Sequence, residues 1–592
     1  MKRAIFLTCL LVGAWALPVQ ADWPTTAAED SDYRKTGTYS EVLEFVEGLA
    51  ERSERADWRI IGHSEEGRPI GLLAVGADQA PDPEALADKD VVFVTAGIHP
   101  GEVAGTDAGL ALVRDLLSGQ ARLGEDTVLL FLPVFNVDGH ERAGRWHRIN
   151  QDGPRETGWR SNAANLNLNR DFMKADSREM RAWLEAFETW EPHLVLDLHT
   201  TNGADFQYDI TYIIEHDDFL PDPAREWKQS AFFDHIFPSL EDRGHKLAPY
   251  IWLRDGEDPA AGFDFFIATP RFSSGYAAIR NRPGMMLEMH ALKDYETRVR
   301  GSYNTLLATL EYLDEHPGRL REAVADADAE IAALGKETEQ SFPLDLELTG
   351  EEEPFEFRTW EWSLEEIDPI GKFLRYDTDR PTSVEVPYGR ETRVSTEVRP
   401  PAAYIVPPSA RDVIERLEAH GIRTYPLPET MALNVEQLRI SEVGWQEAPY
   451  EGRQVVDELS VSSESTEREL PEGSRVVPLA DERAGLVMHL LEPEAPDSLF
   501  RWGFFNQIFQ NSEYAEPRIL ARKAAEKLDR DPELARAWRE RMEEDPEFAE
   551  DRMARIAFLY EKGPWFDDRL GIYPVIRLHD PERLERILES DP

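Results

Sequence analysis

The sequence predicts an α/β fold in its first half, with a mixed, mostly parallel sheet that is flanked by helices. Strand-like apolar runs recur at 91–96, 128–135, 194–198 and 284–289. Helical patterns occupy 104–117, 177–190 and 301–315. Strands that alternate with helices favour parallel pairing in a sheet whose two faces are both covered.

The same patterns divide the chain into segments. We expect one α/β domain over residues 22–335. Residues 336–356 are acidic and contain two prolines, which predicts a linker. Short β-like stretches then predict a β-rich accessory domain at 357–505, and a charged, helical pattern predicts a mainly helical C-terminal segment at 506–592.

Residues 1–21 are typical of a secretory signal peptide. Lys2 and Arg3 supply its positive start, an apolar run follows, and Val19 and Ala21 are small residues at the two positions that a signal peptidase inspects. The apolar run is short for a bilayer span. We therefore expect an exported protein, periplasmic or extracellular, that has no membrane span after the signal is cleaved.

Composition narrows the classes of partner and of chemistry. The chain carries 114 acidic and 65 basic residues, a net charge of −49, and a strong negative field argues against nucleic acid as a partner. The one cysteine, Cys9, lies inside the predicted signal peptide. The mature chain would then contain neither a disulfide nor a thiolate nucleophile.

A histidine and a glutamate leave the end of the first strand together. His99 and Glu102 follow the apolar run 91–96 across a short turn that contains Gly97, Pro100 and Gly101. Ligands bind at this edge of open α/β sheets. Imidazole and carboxylate are zinc ligands, and a hydrolytic zinc site needs three protein ligands and one open position for water.

Two further strand ends carry the remaining parts of such a site. His199 ends the apolar run 194–198 and has the same topological position as His99. Glu288 lies in the apolar run 284–289, where an unpaired carboxylate would be costly. A carboxylate in that setting can take a proton from water and pass it to a leaving amine.

Polar groups suited to a substrate carboxylate lie between these strands. Asn169 and Arg170 offer an amide and a forked cation, which together can hold a carboxylate. Arg148 and Arg145 are two candidates for a guanidinium that polarises a carbonyl and stabilises an oxyanion.

The order His99-x-x-Glu102, Asn169-Arg170, His199 and Glu288 resembles that of the zinc metallocarboxypeptidases, the carboxypeptidase A-like family. The resemblance covers about residues 35–315. It implies one zinc ion per chain, with His99, Glu102 and His199 as ligands, and a peptide or peptide-like substrate with a free carboxylate. It assigns general base and acid to Glu288, the carboxylate clamp to Asn169 and Arg170, and carbonyl polarisation to Arg148, with Arg145 as the competitor.

The sequence departs from the family pattern at several positions. Asn167 replaces the acid that orients a ligand histidine; an amide oxygen can still accept that hydrogen bond, but without a charge. Asp197 is either an acceptor for His199 or an ordinary buried polar residue. Tyr276 is the candidate for the tyrosine that caps the substrate. Arg271, Arg280 and Arg282, which lack a nearby balancing acid in the sequence, suggest a substrate with an extra negative charge.

The sequence thus predicts an exported zinc carboxypeptidase-like hydrolase that removes a C-terminal residue by metal-activated water. One alternative is an amide hydrolase on small N-acyl amino acids, as in the related aspartoacylase branch, because the Asn-Arg pair serves either substrate. The other is a non-catalytic protein that binds peptide ends, which the presence of Glu288 argues against.

Overall fold

A computed structural model describes residues 23–201, 203–335 and 340–589. The signal peptide predicted at 1–21 lies outside these residues, as do positions 336–339 of the predicted linker.

The strands, in chain order, are β1 (Ala56–His63), β2 (Pro69–Val75), β3 (Asp90–Ala96), β4 (Thr127–Leu132), β5 (Leu194–Thr200), β6 (Ile210–Ile214), β7 (Leu247–Pro249), β8 (Phe263–Asp264), β9 (Gly284–Met289), β10 (Phe342–Leu348), β11 (Glu353–Ile367), β12 (Gly371–Gly389), β13 (Thr392–Val398), β14 (Ala403–Val406), β15 (Tyr425–Pro426), β16 (Met431–Trp445), β17 (Val456–Leu470), β18 (Arg475–Pro478) and β19 (Ile572–Leu578).

The α-helices are α1 (Ala27–Asp30), α2 (Tyr39–Arg52), α3 (Ala104–Ser118), α4 (Val137–Glu141), α5 (Arg178–Trp190), α6 (Asp222–Lys228), α7 (Phe237–Asp242), α8 (Ser273–Ile279), α9 (Tyr295–Glu315), α10 (Arg319–Leu334), α11 (Arg411–Ala419), α12 (Ala484–Leu491), α13 (Pro517–Arg530), α14 (Pro532–Glu544), α15 (Pro546–Glu550), α16 (Arg552–Glu561) and α17 (Pro581–Leu588). A π-helical stretch, Gln229–Ile236, joins α6 to α7.

The first half is built on an eight-stranded mixed sheet with the order β1-β2-β4-β3-β5-β9-β6-β7. Its centre is parallel: β4, β3, β5 and β9 are paired side by side in the same direction, whereas β6 runs antiparallel to β9. Helices flank the sheet, so the predicted fold class is confirmed. Strands β3 and β5 are buried at every residue, as expected for parallel strands covered on both faces.

The packing of α3 fixes the end of β3. All residues of α3 except Ser118 are buried. Gly105 brings the helix so close to the sheet that a Cβ at this position would lie 2.4 Å from the Cβ of Leu198 in β5. At the end of β3, Gly97 has a φ of 68°, a left-handed conformation that glycine adopts without steric cost. The chain therefore turns sharply between the strand and the helix.

Beyond the central sheet, the described residues form three smaller sheets, which lie mainly in the second half. Strand β10 pairs with β13, and the hairpin β11–β12 adds the short β8 of the first half. A six-stranded sheet has the order β15-β18-β14-β19-β16-β17. The stretch predicted as an acidic linker contains β10 and the start of β11. Apolar residues alternate with polar residues or proline along β10, as is typical of a half-buried strand: Phe342, Leu344, Leu346 and Leu348. The linker was predicted from the number of acidic residues and did not take this alternation into account.

The two halves share one apolar core. A single cluster of buried residues contains Phe93 and Leu198 of the central sheet together with Val406, Trp502 and Tyr573 of the second half. Within the described ranges, none of the helices combines the length and the hydrophobicity that a bilayer span needs.

The close approach of α3 to β5 predicts that Gly105→Ala destabilises the protein. The added methyl group would overlap Leu198, and overpacking of this kind costs about 1–3 kcal/mol. Gly48→Ala, in α2 with no atom within 4 Å of the added Cβ, should instead stabilise by about 0.5–1 kcal/mol. Urea unfolding of both variants measures the difference; equal stabilities would contradict this packing.

Candidate active site

The three predicted zinc ligands converge at the carboxyl edge of the central sheet. His99 and Glu102 lie on the turn between β3 and α3, and His199 lies near the end of β5, which pairs with β3 through Ala96 and Leu198. Their ligand atoms lie within 4.8 Å of one another. All three side chains are buried, with 3%, 3% and 2% of their surface exposed.

The hydrogen bonds that the two imidazoles make through Nε2 leave the same nitrogen of each ring, Nδ1, facing Glu102. Nδ1 of His99 lies 3.2 Å from Glu102 Oε1, and Nδ1 of His199 lies 2.9 Å from Glu102 Oε2. Nε2 of His99 lies 2.9 Å from Asn167 Oδ1, and Nε2 of His199 lies 2.7 Å from Asp197 Oδ2. The amide oxygen of Asn167 is thus the hydrogen-bond acceptor for His99, and the carboxylate of Asp197 is the acceptor for His199.

This arrangement fits a zinc ion. An Nε2–H that donates to an outer acceptor leaves the Nδ1 lone pair for a metal. The buried Nδ1 of His99 has no hydrogen-bond partner among the described residues, and such an atom is costly unless something binds it. Two imidazole nitrogens and one carboxylate are the ligand set of hydrolytic zinc sites.

Positive charge surrounds the Glu102 carboxylate. Oε1 accepts from Arg148 Nη1 at 2.7 Å and from Arg160 Nη1 at 3.2 Å, and Oε2 accepts from the backbone N–H of Thr200 at 3.0 Å. Burial alone would raise the pKa of Glu102, but Arg148 and the two histidines outweigh it and hold the pKa well below its usual range. The carboxylate is therefore ionised and ready to bind a cation.

Glu288 lies beside this centre on the neighbouring strand. It is directly opposite His199 in the parallel pairing of β5 with β9, and it lines the same cavity as His99 and Glu102. Burial raises its pKa to about 7, although the charge of His199 opposes that shift. A carboxyl group with a pKa near neutrality can both accept and return a proton.

The cavity has a volume of about 500 Å³, and the predicted carboxylate clamp lies on its wall. The Asn169 amide accepts from the backbone N–H of Ser273 at 3.2 Å. The Arg170 guanidinium lies 4.2 Å above the centroid of the Phe272 ring. Arg148 also lines the cavity, and its Nη2 donates to Thr200 O at 3.0 Å.

Two of the predicted substrate-binding residues, Arg145 and Tyr276, do not line the cavity. Arg145 is exposed, and its guanidinium lies 4.8 Å from the centroid of the Trp146 ring. Tyr276 is 0% exposed and its hydroxyl bonds to His420 Nδ1 at 3.0 Å. The structure thus places Arg145 on the surface and Tyr276 in the aromatic core beside Phe172 and Phe187, and neither is among the residues that line the cavity.

The three arginines near Glu288 are also balanced. Arg271 pairs with Asp497 at 2.5 Å and Arg280 with Glu188 at 2.6 Å, while Arg282 pairs with Asp328. All three partners are distant in sequence. The expectation of a substrate with an extra negative charge assumed that these arginines have no balancing acid, and that assumption was wrong.

Arg160 and Tyr250 also line the cavity, and neither was among the site residues predicted from the sequence. Arg160 is one of several arginines in an irregular loop, and no periodic pattern distinguishes it from Arg145 or Arg148. Tyr250 directly follows the short strand β7. An aromatic residue just after an apolar strand was the available signal for it. Burial raises the pKa of Tyr250, and the nearby charges of Glu288 and Glu102 add to that effect.

A buried His/Glu/His set beside a carboxyl group, at the carboxyl edge of a mixed sheet, defines a zinc-dependent hydrolase site. Residues 42–204 match the zinc carboxypeptidase family. Together with the His99, Glu102 and His199 set, this match makes the first half of the chain a metallocarboxypeptidase whose cofactor is zinc.

Relatives extend this similarity along the chain. Carboxypeptidase 2 of Trichophyton tonsurans is 27% identical over 483 residues, which cover 78% of this chain and 83% of the relative. Carboxypeptidase D of Mus musculus is 32% identical over 130 residues, 19% of this chain and 9% of that protein. A solved metallo-carboxypeptidase from Burkholderia cenocepacia is 20% identical with a TM-score of 0.35, over 47% of this chain and 69% of that one.

The contact of His99 with Asn167 predicts how zinc affinity responds to substitution. Asn167→Leu removes the acceptor at similar volume and should weaken zinc binding about 10–100-fold. Asn167→Asp adds a negative charge next to the imidazole, which should make zinc binding tighter than in the wild type. Competition with a chromogenic chelator at fixed pH measures the three affinities. Three equal values would show that Asn167 does not support the ligand.

Proposed function

We propose that this zinc carboxypeptidase is exported and releases the C-terminal residue of peptides that carry a free terminal carboxylate. The observation that carries the proposal is the shared cavity: His99, Glu102, Glu288 and the pair Asn169–Arg170 line one space of about 500 Å³. The third ligand, His199, lies directly opposite Glu288 on the neighbouring strand. A site that joins hydrolytic chemistry to a carboxylate-binding pair selects chain ends.

His99, Glu102 and His199 would hold the zinc ion. When bound, zinc supplies a Lewis acid that polarises a carbonyl oxygen and lowers the pKa of water. Glu288, buried and opposite His199, takes a proton from the attacking water and returns it to the leaving amine. General acid–base catalysis of this kind contributes about 10²–10⁴-fold to the rate.

Arg148 is proposed to stabilise the negative charge that develops on the scissile carbonyl oxygen. Its side chain is 8% exposed and its guanidinium is fixed by Glu102, Gln151 and the Thr200 carbonyl. A donor that is already in place at the moment of reaction needs no reorganisation. Arg160, 48% exposed on the same cavity, is the second guanidinium able to serve this role.

Asn169 and Arg170 would bind the terminal carboxylate. Arg170 supplies the charge and Asn169 a neutral donor, and a fork of this kind binds a carboxylate with defined orientation. Fixing the carboxylate also fixes the distance from the chain end to the scissile bond. The enzyme would therefore remove one residue at a time.

Export is proposed from residues 1–21, where a positive start, an apolar run and small residues at the cleavage positions resemble a signal peptide. Cleavage would release the protein to the periplasm or outside the cell. Mass determination of the secreted N-terminus tests this directly.

Glu288→Gln should retain zinc and lose about 10²–10⁴-fold in kcat, because the amide preserves the shape but cannot accept the proton. Peptide hydrolysis and metal content are measured together. Glu366→Gln, an exposed position in the hairpin β11–β12, is the matched control and should keep full activity. Full turnover by Glu288→Gln would remove this residue from the mechanism.

Two peptides of the same sequence, one with a free C-terminal carboxylate and one with a C-terminal amide, should be cleaved with very different kcat/KM values. The wild type should cleave the free acid with a kcat/KM at least about 10-fold above that of the C-terminal amide, because only the acid pairs with Arg170. Arg170→Met should reduce this preference. Small N-acyl amino acids belong in the same assay: faster turnover of these than of any peptide would favour the amide-hydrolase alternative.

A further inference from the structure

The second half of the chain reaches the carboxylate clamp through one tight turn. Residues 446–455 connect β16 to β17, and at their centre Tyr450 N–H donates to Arg453 O at 2.9 Å while Arg453 N–H donates to Tyr450 O at 3.0 Å. We name residues 450–453 the clamp turn. Its side chains contact the segment that contains Asn167 and Arg170.

Tyr450 contacts the clamp arginine directly. Nε of Arg170 donates to the Tyr450 hydroxyl at 3.1 Å, and Nη1 donates to Asn169 O at 2.6 Å. The face of the guanidinium covers Phe272. These contacts fix the plane of the guanidinium and leave Nη2 without a partner in the part of the chain that the structure describes.

The Tyr450 ring is itself held in place. It stacks on the Trp502 ring with centroids 6.0 Å apart and an angle of 9° between the planes. Trp502 is 1% exposed, so its position is set by the core of the second half. The hydroxyl that accepts from Arg170 is therefore attached to a rigid support.

Glu451 is an unusual residue for its position. It has a φ of 49° and is followed by Gly452 with a φ of 76°. Two-residue turns with positive φ at both central residues favour asparagine or aspartate before glycine, and a non-glycine residue there is strained. The local preference of the turn therefore does not explain a glutamate.

The side chain of Glu451 has a partner that a shorter acid would not reach from the same backbone. Its Oε2 accepts from the backbone N–H of Asn167 at 2.7 Å. The side chain of Asn167 is the acceptor for His99. Glu451 thus fixes a segment that supports both a zinc ligand and the carboxylate clamp.

An ion pair anchors the other side of the clamp turn. Arg453 Nη2 lies 2.5 Å from Asp176 Oδ1, and its Nε lies 2.8 Å from Oδ2. Arg416 of the second half pairs with the same carboxylate at 2.9 Å. Two guanidiniums on one half-buried carboxylate hold the turn against the residues that follow the clamp.

We propose that the clamp turn is a substrate-recognition element supplied by the second half of the chain, in which Tyr450 positions Arg170 and Glu451 positions Asn167. The inference rests on the proposed function, because it assigns these contacts to recognition of the substrate's terminal carboxylate. Holding the guanidinium in its binding orientation before the substrate arrives removes an ordering cost from binding.

Tyr450→Phe is the first test. It removes the hydroxyl but keeps the ring on Trp502, so KM for a free-acid peptide should rise about 10-fold through loss of a hydrogen bond to a charged group. The values of kcat and zinc affinity should stay unchanged. Tyr514→Phe, at a tyrosine that is 83% exposed, is the matched control and should leave KM unchanged.

A double-mutant cycle separates positioning from general damage. If Tyr450 acts through Arg170, Tyr450→Phe should lower kcat/KM in the wild type but not further in an Arg170→Met background. An equal loss in both backgrounds would overturn the assignment, because it would show that Tyr450 acts independently of the arginine.

Glu451→Asn separates recognition from stability. Asparagine suits the turn better than glutamate, so the melting temperature should be unchanged or higher. Its side chain is one methylene shorter and loses the Asn167 contact, so KM should nevertheless rise. A lowered melting temperature with KM unchanged would make Glu451 a structural residue only and would overturn this part of the proposal.

The outcomes distinguish this inference from the proposed function. If the wild type releases no terminal residue from any free-acid peptide, the proposed function fails and the inference fails with it. If the wild type is active and Tyr450→Phe has the KM of the wild type, the inference alone fails.

Discussion

The burial of the Glu102 carboxylate is the constraint on which the site depends. An ion of this kind is stable in the interior only if other groups compensate its charge. Here Arg148, His99, His199 and a backbone N–H surround it. These groups come from three separate parts of the first half, so β3 and β5 must be neighbours and the intervening loop must fold back over their ends. The arrangement that compensates this charge also forms the metal site.

The second half of the chain is part of the same structural unit. Its buried side chains join the core of the first half, and its strand β12 extends a sheet that includes β8. The clamp turn and Asp497 bring polar groups of the second half to residues near the cavity. Recognition of a substrate end would thus draw on residues more than two hundred positions apart.

Local pattern was sufficient for the residues at the ends of strands. His99, His199 and Glu288 each lie in or directly after a run of apolar residues that shows where a strand lies and where it ends. Because neighbouring strands are parallel, their carboxyl ends meet at one edge of the sheet. Loop residues were different. Arg145, Arg148 and Arg160 lie in an irregular segment without periodicity, so only the folded chain shows that the last two face the cavity. Tyr276 was assigned to the substrate site because nothing in the sequence distinguishes a helical aromatic residue that packs in the core from one that lines a cleft.

The sequence by itself determined the ligand set, the neighbouring carboxyl group, the pair proposed as the carboxylate clamp and the α/β class of the first half, because each is encoded by short-range periodicity or by a compact motif. Tertiary structure decided which arginines face the cavity, that Arg271, Arg280 and Arg282 are paired with acids, and that Tyr450 contacts Arg170 while Glu451 contacts Asn167. Those contacts join residues that are far apart in the chain. Local sequence preferences do not specify which distant side chains come into contact when the chain folds.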